Sequence, residues 1–365
     1  MAHVALTPPP TGFEPVAAKV LAAVPSRVPH DNQATAWSTP VRCIERRMFT
    51  GGHLKMADGE SIAHWGFDDP GNPGCRAVLP SPLIRVNEGE GVHIKLEMMG
   101  ASSLKNNSAA LHNIGRASAG NVAVARTENF VYQWKPRKAG TWLYQHHAST
   151  PLDFEMGLYG VLVVDAERDS SGRTLAYHNG PAYDCERFWV FDDIDPSWHS
   201  SDAAVNATST GAAHGGFNPH LFDPKYFLVN GIANTDAARH PGVAVQARAG
   251  EKLLLRLVNA SYSLMRIRFE KLRGHIVSVD GSALDVAERA WTRWIAVEPD
   301  QAVLMATGSR NDVLIDLDPE KNNVKPGDSF QVVFEFLDPA RRAVRNSGAL
   351  HPAHTGRAVT TISIV

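Results

Sequence analysis

With 365 residues, 44% of them hydrophobic and 20% charged, the chain has the composition of a folded protein with a substantial core and the length of two ordinary domains. Its formal charge of −2 provides neither a basic stripe for nucleic acid nor a polybasic patch for a membrane surface, which leaves a small-molecule substrate as the favoured partner. No apolar run reaches the roughly 20 residues needed to cross a bilayer, and no charged segment followed by an apolar core opens the chain.

Residues 1–38 contain TPPPTGFEP and no sustained periodicity, so they are expected to form an extended arm over the surface. Their Pro- and Ala-rich character leaves the compartment open: periplasmic or secreted if a signal has been removed, cytoplasmic otherwise. From Thr39 the pattern becomes β. Cys43–Thr50, Glu60–Gly66, Leu83–Val86 and Gly91–Met98 are candidate strands separated by Gly, Pro, Asn and Asp clusters. Within them, IRVNEGEGVHIKLEM alternates on both sides of Glu88-Gly89-Glu90 and predicts strand, turn, strand.

Residues 139–165, AGTWLYQHHASTPLDFEMGLYGVLVVD, hold the densest chemistry. Thr141 to Tyr144 and Leu158 to Val164 have strand character, and between them lie His146, His147, Asp153 and Met156. A loop presented by a rigid sheet is a favoured place for a metal site; the bland alternative is that the two histidines only cap a strand end. If the strand continues through them, one of the two faces the site, because successive side chains alternate.

The segment ERDSSGRTLAYHNGPAY has the composition of a linker, and it divides the chain into a first domain at 39–168, a linker at 169–182 and a second domain at 183–365. About 160 residues after the first Gly-Glu turn, VQARAGEKLLLRLVN repeats its pattern, a spacing that indicates duplicated domains and not a solenoid. Candidate strands follow at Arg187–Phe191, Tyr226–Asn230, Leu253–Val258, Met265–Phe269, His275–Val279, Val313–Leu317, Ser329–Phe336 and Val359–Val365. Ser201 to Pro219 is expected to be a surface loop. Three cysteines, Cys43, Cys75 and Cys185, have no metal-binding spacing and allow at most one disulfide, with Cys43 and Cys75 as the candidate pair.

In order, LPSPLIRVNEGEGVHIKL, the 139–165 segment, KYFLVNGIANTD and VQARAGEKLLLRLVNASYSLMRIRFEKLRGHIVSVDG resemble the first two domains of the multicopper oxidases, a superfamily that includes laccases and, more distantly, copper nitrite reductases. The resemblance spans residues 55–365 and implies an all-β fold of two tandem cupredoxin-like Greek-key β-sandwich domains. It also implies copper. In a laccase-like first domain, His-x-His-Gly and His-x-His contribute to a copper cluster; here those positions read His112-Asn113-Ile114-Gly115 and Gln145-His146-His147. A further cupredoxin domain with a His-Cys-His motif would supply the remaining ligands; this sequence contains no such motif, and His351-Pro352-Ala353-His354 echoes only the start of its companion.

Laid on the nitrite-reductase-like pattern, His112 falls on a copper histidine, His146 near the cysteine, Asp153 near the second histidine and Leu158 on the axial methionine. A blue-copper centre needs a thiolate, so His112, His146, His147 and Asp153 are the candidate metal residues of a harder nitrogen and oxygen site, suited to copper, zinc or iron. His275, the pair His351 and His354, and the acids of FDDIDPSWH are more economically read as structural or solvated residues. The resemblance favours a copper-dependent oxidoreductase acting on a small reducing substrate, with a metal-free binding or assembly scaffold and a non-redox metal enzyme or carrier as the alternatives. It further implies a homo-oligomer, a closed trimer being favoured.

Overall fold

The computed structural model describes residues 41–72, 78–98, 111–112, 129–146, 152–199, 221–287 and 292–365. The N-terminal arm, the 201–219 loop, His147 and Cys75 lie outside the described residues. The first sandwich contains β1 (Val41–Lys55), β2 (Ser61–Asp68), β3 (Ser81–Asn87), β4 (Gly91–Met98), β5 (Leu111–His112), β6 (Asn129–Trp134), β7 (Gly140–His146) and β8 (Tyr159–Asp165). Its sheets run β2-β1-β4-β6 and β3-β8-β7-β5.

The second sandwich begins with β9 (Cys185–Ile194), β10 (Tyr226–Val229), β11 (Ile232–Ala233), β12 (Val245–Ala247), β13 (Lys252–Asn259) and β14 (Leu264–Phe269). It continues with β15 (Gly274–Val279), β16 (Ser282–Ala283), β17 (Ile295–Val297), β18 (Ala302–Met305), β19 (Arg310–Asp316), β20 (Ser329–Leu337) and β21 (Arg357–Ile364). One sheet runs β11-β10-β9-β13-β19-β15-β16, with β17 on β15, and the other β12-β21-β20-β14-β18.

The repeated sequence pattern occupies equivalent places. β3 runs parallel to β8 and β4 parallel to β1; in the same way β12 runs parallel to β21 and β13 parallel to β9. Gly89 and Gly250 make the two intervening turns at φ of 75° and 89°, a region that L side chains disfavour.

Apolarity on both faces explains the unbroken hydrophobic run of β8. Leu162 and Val164 face the interior of the first sandwich, while Tyr159, Val161 and Val163 face a separate core shared with the second domain. Val190, Ile194, Tyr226, Leu228 and Val258 fill that shared core from β9, β10 and β13. The opposite faces of these strands, with Trp189, Phe191, Phe227 and Leu255, fill the second sandwich. Four sheet layers are thereby stacked, with the shared core between the middle two.

Polar chemistry closes the same seam. Arg85 of β3 pairs bidentately with Asp165 and also with Glu186, which accepts from Arg256 Nε at 2.9 Å. Arg256, 1% exposed, donates to Thr141 Oγ1 at 2.9 Å and stands 3.7 Å from the buried Asp312 carboxylate. At Gly231, φ 74°, an added Cβ would lie 1.8 Å from the Leu79 carbonyl oxygen of the first domain, so only glycine permits that approach. The 169–182 segment joins this packing, since Ala176 and Tyr177 are buried in a small core with Ala139, Leu254 and Val277.

One expectation is corrected. β1 extends past Thr50 to Lys55 through an irregularity between Phe49 and Gly52, so a single strand crosses the Gly51-Gly52 pair that reads as a break. Cys43 is exposed, and its candidate pairing falls on Cys75, outside the described residues.

Arg256→Met should lower stability by about 3–5 kcal/mol, because it leaves Glu186 and Asp312 carboxylates buried without that partner. Urea unfolding measures this through the midpoint; a change below about 1 kcal/mol would show that the network does not hold the seam.

Candidate metal centre

The site begins with strand alternation. Along β7, Trp142, Tyr144 and His146 share the face turned into the first sandwich, and each is buried. Gln145, one residue earlier than His146, is turned to the other side and is partly exposed. After the undescribed residues 147–151 the chain makes a single helical turn, α1 (Leu152–Glu155), before entering β8. Leu152 and Met156 pack into the first-sandwich core and Phe154 into the shared core, stacked on Tyr159 at 4.8 Å. This turn closes the end of the sandwich over His146.

Asp153 is brought directly onto His146. Its Oδ2 lies 2.5 Å from His146 Nδ1, and the two side chains are 1% and 0% exposed. In the neutral imidazole, donation of the Nδ1–H to this carboxylate fixes the ring orientation and leaves the lone pair on Nε2. His146 Nε2 is buried and has no hydrogen-bond partner among the described residues. Backbone bonds from His146 N to Leu158 O, 2.9 Å, and from Leu158 N to Asp153 O, 3.0 Å, hold both residues in place.

His112 is carried by β5, whose register sets Leu111 opposite His146 and His112 opposite Gln145. The candidate residues therefore divide: His146 and Asp153 form a bonded pair, His112 is on the neighbouring strand in register with Gln145, and His147 is outside the described residues. Among the described residues, no three His, Cys, Asp or Glu side chains converge to hold a metal ion. Leu158, at the position the resemblance assigns to an axial methionine, is fully buried.

Residues 74–169, which contain this loop, match the multicopper oxidase family model. Over that segment the chain is similar to the multicopper oxidases. It is 27% identical over 176 residues to an L-ascorbate oxidase of Cucumis sativus; the match takes in 45% of this chain and 27% of that protein, so the chain spans about a quarter of the curated relative's length. In fold it is similar to a blue copper oxidase from Nitrosomonas europaea, with a TM-score of 0.61, 18% identity and coverage of 89% of this chain and 86% of that one. A copper nitrite reductase from the same organism gives a TM-score of 0.57, 16% identity and coverage of 89% and 94%. Members of the superfamily normally bind copper.

The remaining histidine candidates have structural partners. His354 Nε2 lies 2.8 Å from Asp58 Oδ2, which also accepts from Tyr226 OH at 2.9 Å and has Lys225 Nζ at 3.3 Å, tying the β1–β2 turn to the second domain. His351 Nδ1 accepts the Ala353 N–H at 3.2 Å and caps a short 3₁₀ turn. The exposed His275 lies on β15 beside Trp294, with ring centroids 5.8 Å apart.

The acids of FDDIDPSWH follow the ordinary strand and turn expected of them, yet the structure buries them against α1. Glu155 Oε1 accepts from Asp195 N at 2.9 Å, Tyr159 OH donates to Asp192 at 2.7 Å, and Ser263 Oγ and Tyr262 N donate to Asp193. His199 completes the group, with Nε2 3.4 Å from Glu155 Oε1 and Nδ1 2.6 Å from the Ala63 carbonyl oxygen. Sequence reasoning missed Glu155 altogether; the only signal was an acid following Asp153 at two residues' distance in an otherwise apolar turn.

Burial raises Asp193 from 3.8 to about 6, against the lowering effect of its Ser263 and Tyr262 hydrogen bonds. Since the folded value is the higher one, this contribution to stability is complete below about pH 4 and is lost as pH rises to about 6, a change on the order of 3 kcal/mol. Glu155 and Asp192, both pushed well above the usual carboxyl range chiefly by burial, extend the same trend upward. Asp193→Asn should flatten the pH 4–6 portion of the urea-midpoint profile; a wild-type profile that rises across this interval would contradict the assignment.

Proposed function

We propose that this chain is a copper-dependent oxidoreductase with a metal site rebuilt around His146, acting on a small reducing substrate. The single observation that supports it is the buried His146 Nε2, oriented by Asp153 and without a hydrogen-bond partner among the described residues. An unsatisfied buried nitrogen costs on the order of 1–3 kcal/mol, and coordination to a metal removes that cost. His146 is the first ligand, with His112 and His147 as its candidate companions. Asp153, a candidate third ligand by sequence, acts from behind the imidazole instead, because its oxygen is engaged with Nδ1.

Nitrogen donors without a thiolate suit Cu(II) and also zinc or iron; the similarity to the multicopper oxidases favours copper. A copper ion held there would supply one-electron redox chemistry. The second reading is a metal-free cupredoxin scaffold serving in binding or assembly, in which the buried His146–Asp153 pair is a structural contact. Metal titration separates the two.

His146→Ala with His147→Ala should abolish tight Cu(II) and Zn(II) binding and also lower stability, because Asp153 is left buried without its imidazole partner, whereas His351→Ala with His354→Ala should leave binding in place. Isothermal titration of both double variants checks this, and unchanged affinity in the first would defeat the proposed site. The copper-loaded protein should lack an intense band near about 600 nm, since the 139–165 segment itself carries no cysteine; a strong blue colour would contradict the ligand assignment. We further propose a closed trimer, by analogy with the nitrite reductase whose chain is matched over 94% of its length. Light scattering at micromolar concentration tests it, and a monomer would overturn it.

A further inference from the structure

We infer that Glu155 is a positioning residue for the His146 site: through the single turn α1, the second domain sets the orientation of an imidazole that belongs to the first. The inference deepens the proposed metal function and rests on it only for its metal-binding arm.

A four-residue helix is far below the length that is stable in isolation, so α1 depends on contacts at its ends. The two acids face different domains. Asp153 grips His146 Nδ1 at 2.5 Å, whereas Glu155 Oε1 accepts the Asp195 N–H at 2.9 Å from the end of β9. Both acids are almost wholly buried, at 1% and 2% exposure, so water cannot substitute freely for either contact.

The second-domain side of this contact is itself braced. The Asp195 carboxylate accepts from Ser197 N, Ser197 Oγ and Asp223 N at 2.7–2.8 Å, which closes the turn that follows β9. Trp198 from that turn packs into the first-sandwich core, and His199 returns to the Ala63 carbonyl oxygen of β2. On the first-domain side, bonds from Met156 N to Leu152 O, 2.8 Å, and from Leu158 N to Asp153 O make the turn stiff. A displacement at Glu155 is therefore transmitted to Asp153 and onward to the ring of His146.

Two near-isosteric variants isolate the acceptor oxygen. Glu155→Gln retains it; Glu155→Met fills the same space without it, so the turn stays packed. The full-length chain, selectively labelled with ¹⁵N in its histidine rings and assigned by comparison with His146→Ala, reports the tautomer of His146 with no metal present. Wild type and Glu155→Gln should show a protonated Nδ1 and an unprotonated Nε2, whereas Glu155→Met should show a ring averaged between tautomers. In parallel, Cu(II) affinity should be kept in Glu155→Gln and fall about 10–100-fold in Glu155→Met, the usual scale for a residue supporting a ligand. Wild-type ring shifts in Glu155→Met, or equal loss in both variants, would overturn the inference. A wild-type chain that binds no copper but follows the tautomer pattern would instead defeat the metal function and leave the positioning role standing.

Discussion

Everything else in the molecule follows from the packing of two β-sandwiches through a third hydrophobic core that neither owns. β7 and β8 on one side and β9, β10 and β13 on the other are apolar on both faces, so the middle two sheets can be covered only by each other. This constraint places the β7–β8 connection, with α1 and the candidate metal histidine, at the end of the seam. It also forces polar groups at the seam to find partners within the protein, as Arg256, Glu186 and Asp312 do and as the acids around Glu155 do.

Such burial gives the candidate centre its character. An imidazole in water has two interchangeable nitrogens; His146, pinned by Asp153 in a dry setting, has one nitrogen committed and one open. The pair has the form of a ligand with its supporting acid, a chemistry of nitrogen donors and not of sulfur. The pair His351 and His354 lacks that form, because the open geometry there is used for capping a turn and for the Asp58 contact.

The fold was legible because its signals are local and periodic. β3, β4, β7 and β13 are readable from alternation or aromatic and β-branched content, and the Gly-Glu turns marked the duplication before any tertiary information. Asn129–Trp134 was overlooked although NFVYQW has strand character, since it lies beyond a long stretch without clear punctuation. The site was legible in part. His146 and Asp153 stood out by residue type. Their direct bond was not, because it depends on a four-residue helix too short to leave a periodic trace. The role of Glu155 was hidden for a different reason: its partners Asp195 and His199 come from the other domain, and no local pattern reports a contact across a seam.

The central claim is that His146 presents Nε2 to a metal while Asp153 holds Nδ1, and anomalous diffraction tests it most directly. Crystals grown from copper-loaded protein should give a peak at the copper edge about 2.0–2.1 Å from His146 Nε2, with the Asp153 contact to Nδ1 retained. No peak at this imidazole, or a peak bound to Nδ1 with Asp153 displaced, would contradict the account.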